Sequence, residues 1–171
     1  MTVPADFDEL WSNLPQWFEC AKINPPDPAT FKAFPQISGM NIPVDWETCC
    51  IQMSHALNMV GQPINYFNKN RVLTDASGNE YILAVPEMRD YLNKFGAADV
   101  IARIDANGGL MPRWLVQSGG LGDRKGIVAF GDRHIDLWNG TTIHGQGYIE
   151  AAIWEDATTL SKGLFFWDVS T

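Results

Sequence analysis

Cysteine is scarce in this chain of 171 residues: there are three, Cys20, Cys49 and Cys50, and no CxxC pair. An odd count with two adjacent members argues against a disulfide framework, because neighbouring cysteines rarely meet the geometry of a bridge. With only three histidines and no His/Cys spacing of the zinc-binding kind, no metal site is expected, and no cofactor is called for. Basic residues are few as well. Twelve Lys and Arg against twenty Asp and Glu give a formal charge of −8 and a pI of about 4.7. That balance excludes a nucleic-acid surface, which needs clustered cations, and leaves a basic partner as the electrostatic preference. No run approaches the ~20 apolar residues that cross a bilayer, so no membrane span is expected. The first ten residues show neither a basic n-region nor an apolar h-region, so no signal peptide is expected and synthesis in the cytoplasm is inferred.

What the chain does have is enough apolar material for one core. With 46% hydrophobic and 19% charged residues, 171 residues suit a single domain spanning 1–171. In residues 7–20, Phe7, Leu10, Trp11, Leu14, Trp17 and Phe18 fall at helical spacing with Pro15 as a break, a pattern of core packing. Residues 24–43 are rich in proline and predict an irregular lead-in over the surface. A helix over 49–60 is well bounded, by Thr48 as N-cap and by Gly61 and Pro63 beyond its end. A short strand over 81–85 and a helix over 86–95, with Pro86 at its start and Gly96 at its end, come next. The glycine-rich stretch 105–125 carries Met111, Trp114 and Leu115 and predicts a loop that serves as a wall or lid. Strands are expected at 126–130, 133–138, 141–144, 148–154 and 163–169, with Asn139-Gly140 as a hairpin turn. A helical first half followed by an antiparallel sheet makes the class α+β.

Two segments carry chemistry. Thr48-Cys49-Cys50-Ile51-Gln52-Met53-Ser54-His55 starts a helix with a cysteine, and His134-Ile135-Asp136-Leu137-Trp138 sets a histidine on a strand. A thiol becomes a nucleophile when a helix N-terminus and an imidazole favour its thiolate, so Cys49 and His134 are the candidate pair. Cys50, with Met53 and Leu57 beside it, reads as the packing neighbour and as the alternative nucleophile. Alternation places His134, Asp136 and Trp138 on one face and Ile135 and Leu137 on the core face. A two-residue turn at Asn139-Gly140 would oppose Trp138 to Thr141 and His134 to Gly145, leaving His144 near His134 on the other face. A bulge around Gly145-Gln146-Gly147 would bring His144 round. Asp136 and His144 are therefore both candidates to orient the His134 ring. Cys20 and His55 read as ordinary buried residues. Arg113 reads as a solvated charge, or as a contact for a substrate carboxylate.

The Cys49 segment through Asn58 is similar to the cysteine helix of the type VI secretion amidase effectors of the fourth family. The segment from His134 to Gly140 resembles that family's histidine strand, and Tyr81-Ile82-Leu83 with Met88-Arg89-Asp90-Tyr91-Leu92 resembles its middle. The matches are collinear from Thr48 to Gly140. The resemblance implies a papain-like fold of the NlpC type and catalysis by Cys49 and His134, with His144 where such enzymes often place a second histidine. It further implies secretion by the type VI machinery into the periplasm of a rival bacterium and cleavage of peptidoglycan stem peptides, usually between D-glutamate and meso-diaminopimelate. An immunity protein that plugs the cleft is implied as well. Because fold does not dictate function, a transferase or deamidase on the same scaffold stays open. A wall-binding module that displays some of the seven tryptophans and uses no nucleophile stays open too.

Overall fold

Asp6 opens the first helix by accepting the Glu9 N–H on its carboxylate at 2.9 Å, and α1 then runs Phe7–Asn13 with Phe7 and Leu10 buried. The structure is a computed structural model that describes residues 2–15, 48–145, 153–155 and 161–169. The expected second short helix after Pro15, the proline-rich lead-in and the glycine bulge beyond Gly145 lie outside those residues, as does most of the strand expected over 148–154. Where that strand's end is described, residues 153–155 are helical, which corrects the expectation there.

Helix α2 (Cys49–Met59) stops as its sequence requires. Gly61 takes φ 75°, its N–H reaches Asn58 O and that of Gln62 reaches Leu57 O, the paired bonds of a Schellman ending. Its start differs from expectation, because Thr48 occupies the N-cap position without a side-chain cap bond. Residues 49–57 are all buried, including the polar Gln52, Ser54 and His55. Ser54 explains itself: its hydroxyl donates to Cys50 O at 2.7 Å and accepts the Ile82 N–H at 2.9 Å. Asn58, one turn on, donates to Glu80 O and accepts from the Ile64 N–H. These two residues clip α2 to a small hairpin of β1 (Val72–Thr74) and β2 (Glu80–Ile82).

The expected strand over 81–85 is therefore shorter and shifted. Val85 instead begins α3 (Val85–Leu92), with Pro86 in its first turn, where its missing N–H is harmless. One further turn, Asn93–Phe95, precedes Gly96. Strand β3 (Asp99–Ile101), which the sequence pattern did not suggest, joins β4 (Gly126–Phe130), β5 (His134–Trp138) and β6 (Leu164–Asp168) in an antiparallel sheet of order β3-β6-β4-β5. Strands thus begin in the middle of the chain, not only in its second half. Part of the predicted loop is ordered too: Ile104 bridges Leu110, and Arg113–Leu115 runs into a π-helical turn, Val116–Leu121.

Every residue of β4 and β5 is buried because the sheet is covered on both faces. Ile127, Ala129, Ile135 and Leu137 meet Cys49, Cys50, Met53 and Leu57 in one core, which matches the expected core face of β5. Val128, Phe130, Trp138 and Trp154 form the second core on the other face. Since β5 is the edge strand, the N-terminus of α2 reaches round it and touches side chains of both faces.

Ser54→Ala should lower stability by about 1–3 kcal/mol, since it leaves the buried Ile82 N–H without its acceptor. Urea unfolding checks this, and an unchanged midpoint would remove Ser54 as the anchor of α2.

Candidate active site

A cysteine placed at the first residue of α2 has its sulfur in the field of the helix N-terminus, which favours an anion there. Cys49 is 4% exposed and Cys50 fully buried, and both thiols are unbridged. The Cys49 thiol sits well below the ordinary thiol range. A hydrogen bond from Cys50 is the largest single cause and burial opposes it, while the hydrogen bond and charge of His134 and the Ile135 N–H add to the lowering.

His134 shifts the other way. Burial works against its charged form, but the hydrogen bonds with Asp136 and Cys49 and the charges of both outweigh it, and the ring rises to about 10. Nε2 of His134 lies 3.1 Å from Oδ2 of Asp136. Asp136 is itself held: Leu137 N–H donates to Oδ1 at 2.8 Å and Gly145 N–H to Oδ2 at 3.1 Å. The contacts with Cys49 and Asp136 together make a line of thiolate, imidazolium and carboxylate, in which each charge faces its opposite.

The hairpin expectation needs a correction here. The turn holds four residues, not two, because the Asn139 side chain accepts the Thr141 and Thr142 N–H groups and Trp138 pairs with Ile143. Register slips by two. Faces survive such a slip, since side chains alternate with period two, but Gly145 now opposes Asp136 instead of His134. No strand forms over 141–144 apart from that one bridge. His144 lines the same pocket, yet its ring packs edge-on against Trp11 at 4.6 Å and bonds the Trp11 backbone. Burial lowers its affinity for a proton, which Asp136 and Trp11 partly offset. Of the two orienting candidates, Asp136 is the one bonded to the His134 ring.

Leu14, Pro15, Gln52, Ile135 and Gly145 complete a small pocket, open on one side, around Cys49, His134, Asp136 and His144. Sequence reasoning missed Leu14, Pro15 and Gln52. For Gln52 a signal existed, because it lies three residues after Cys49 and so on the same helical face. Cys20 lies outside the described residues, and His55 is buried on α2, away from this pocket's lining. Among the described residues no group of His, Cys, Asp and Glu could hold a metal, and no helix is long and apolar enough to cross a membrane. Nor do the described tryptophans make a display platform, since Trp138, Trp154 and Trp167 are buried and Trp114 stands out at 67% exposure.

The family model described as type VI secretion system (T6SS), amidase effector protein 4 (Tae4), matches residues 46–167. The chain also resembles the Enterobacter cloacae Tae4 in its Tae4–Tai4 effector–immunity complex, at 17% identity and a TM-score of 0.64 over 98% of this chain and 100% of that one. Salmonella typhimurium Tae4 in complex with the E. cloacae immunity protein Tai4 matches at 23% identity and a TM-score of 0.60, over 97% and 99%. The E. cloacae effector by itself matches at 17% and 0.61, over 99% of each chain. No curated protein matches the sequence.

The charge state is open to measurement. Thiolate absorbance near 240 nm should persist as pH falls well below ~8.5, the range of a free thiol. In His134→Ala it should vanish on acidification nearer that ordinary value. Identical titrations of the two proteins would contradict the ion pair.

Proposed function

The chain belongs to the type VI secretion system amidase effector protein 4 family, and from that premise we propose that it is an antibacterial cysteine amidase that hydrolyses peptidoglycan stem peptides with Cys49 as nucleophile. The observation that carries this reading is the Cys49–His134–Asp136 line, buried at the start of α2 and along β5. A carboxylate bonded to one ring nitrogen holds the imidazole so that its other nitrogen meets the thiol.

The Cys49 thiolate attacks the amide carbonyl carbon: a C–S bond forms and the carbonyl π electrons move to oxygen. The Cys49 backbone N–H, free at the helix start, is one donor to that oxyanion. On collapse the C–N bond breaks, and the His134 imidazolium gives its proton to the leaving amine. His134, now neutral, takes a proton from water, which attacks the thioester; the C–S bond breaks, the carboxylic product leaves and the thiolate returns. Asp136 keeps the ring oriented and stabilises its charge throughout. His144, with Trp11 behind it, forms the pocket wall, and residues 105–124 form the wall on the substrate side. In this reading the whole chain, 1–171, is one domain of papain-like, NlpC type, and no metal or cofactor takes part. The bond cut is the one between D-glutamate and meso-diaminopimelate. The protein is made in the cytoplasm and carried by the type VI machinery into a target cell's periplasm. Its structural neighbours are effectors in complex with immunity proteins, and in this reading an immunity protein of this chain covers the pocket in the producing cell.

Purified muropeptides analysed by chromatography test the assignment. Cys49→Ala should abolish cleavage, and His134→Ala should slow it by roughly 10²–10⁴. Asp136→Asn should cost more than His144→Ala. Cys50→Ala should retain activity with its acid limb moved to higher pH, because it removes the strongest support of the Cys49 thiolate. Unimpaired cleavage by Cys49→Ala, or loss in Cys50→Ala alone, would overturn the choice of nucleophile.

A further inference from the structure

Away from the cysteine, the second core contains a charged group that no described residue neutralises. Arg103 stands at the base of the bridge between Ile104 and Leu110 and is 2% exposed. Its Nη2 donates to Trp154 O at 3.2 Å, while Nε and Nη1 are buried and make no hydrogen bond. No carboxylate among the described residues pairs with Arg103. Trp154 repeats the pattern, since its indole Nε1 is also buried without an acceptor. Two guanidinium groups, those of Arg103 and Arg113, lie over the Trp154 ring, each at 5.2 Å. Two like charges and three unanswered donor nitrogens thus converge on one indole, in a chain whose net charge is −8.

Buried donors of this kind cost free energy unless something accepts from them, and a guanidinium is shaped to take a carboxylate through two parallel bonds. Burial and the charge of Arg113 both disfavour the protonated Arg103, so a bound anion would relieve the site. Its position ties it to the reaction. From the His134 ring, Phe130 is 6.1 Å away, and Trp154 lies 4.9 Å beyond Phe130. Three contacts of this length set an upper bound on the separation of the imidazole and Arg103, within the reach of about four or five extended peptide residues. Arg113, half-buried on the same indole, is the more exposed of the two guanidinium groups.

We infer that Arg103, Trp154 and Arg113 form a carboxylate subsite that holds an acidic group of the peptide substrate while Cys49 attacks an amide bond a few residues away. This inference rests on the amidase reading above and adds the feature by which the enzyme tells an acidic stem from a neutral one.

Paired muropeptides, identical except that the carboxylates of one are amidated, test the subsite. The wild-type protein should favour the free acid by roughly ten- to a hundredfold in kcat/KM, the span of hydrogen bonds to charged groups. The difference should sit in KM. Arg103→Met should erase the preference with kcat little changed, Arg103→Lys should restore part of it, and Arg113→Gln should weaken it. Equal cleavage of the two substrates by the wild type would overturn the subsite even if Arg103→Met fails to fold, and so would a preference that survives in a folded Arg103→Met. Calorimetry on Cys49→Ala separates this idea from the reaction itself. Tighter binding of the free-acid muropeptide to that variant, with a wild type that cleaves neither substrate, would sink the amidase reading and leave the subsite standing. Inorganic phosphate bound as tightly as the free acid would mark a site for free anions and overturn the substrate assignment.

Discussion

The contact between the Cys49 thiol and the His134 ring is the constraint around which the rest is arranged. It brings two ionisable groups into a place that water hardly reaches, where either charge alone would be expensive. Together they stabilise one another, and this mutual support adds to the hydrogen bond from Cys50 that lowers the thiol and to the hydrogen bond with Asp136 that raises the imidazole. The arrangement holds only while the histidine's far side is satisfied. Asp136 does this, and two backbone N–H groups satisfy Asp136 in turn. Polar burial is tolerable here because the chain of partners has no missing link.

Fold and charge depend on each other through the edge strand. Were β5 central, a neighbouring strand would bar the way from the N-terminus of α2 to the side chains on the opposite face. As an edge it keeps Ile135 and Leu137 under α2 and sends His134 and Asp136 to the opposite face, with only the N-terminus of α2 reaching round to meet them. Ser54 and Asn58 hold α2 to β2 by buried hydrogen bonds, so the position of the sulfur is set by polar clips as well as by apolar packing. The same sheet's other face holds Phe130 and Trp154, which join the imidazole to the arginines of the opposite wall.

Several parts of this were legible from residue order. A helix beginning at Cys49 and ending at Gly61 follows from stop signals that are local, and the alternation along 134–138 needs nothing beyond the period of a strand. What failed were readings that depended on distant partners. Asn139-Gly140 has the composition of a two-residue turn, but the Asn139 side chain claimed two further N–H groups and lengthened it to four. Strand β3 is three residues long and has no marked pattern of its own; it exists because β6 supplies its hydrogen bonds. The helical turns within 113–121 arise in a stretch whose glycines signalled a loop.

The sequence by itself determined the candidate nucleophile, its candidate base and the two residues competing to orient that base, because residue type and local period suffice to place a thiol at a helix start and an imidazole on a strand. It also set the acidic balance. Only the tertiary structure decided between Asp136 and His144 as the partner of the His134 ring, since that choice depended on a two-residue slip of register and on Trp11 taking the His144 ring. Only it could bring Arg103 and Arg113 onto one indole, for the two lie on different turns of the wall and Trp154 comes from far along the chain. Hydrogen bonds and burial between distant segments carry no local period, and so no reading of neighbours in sequence reveals them.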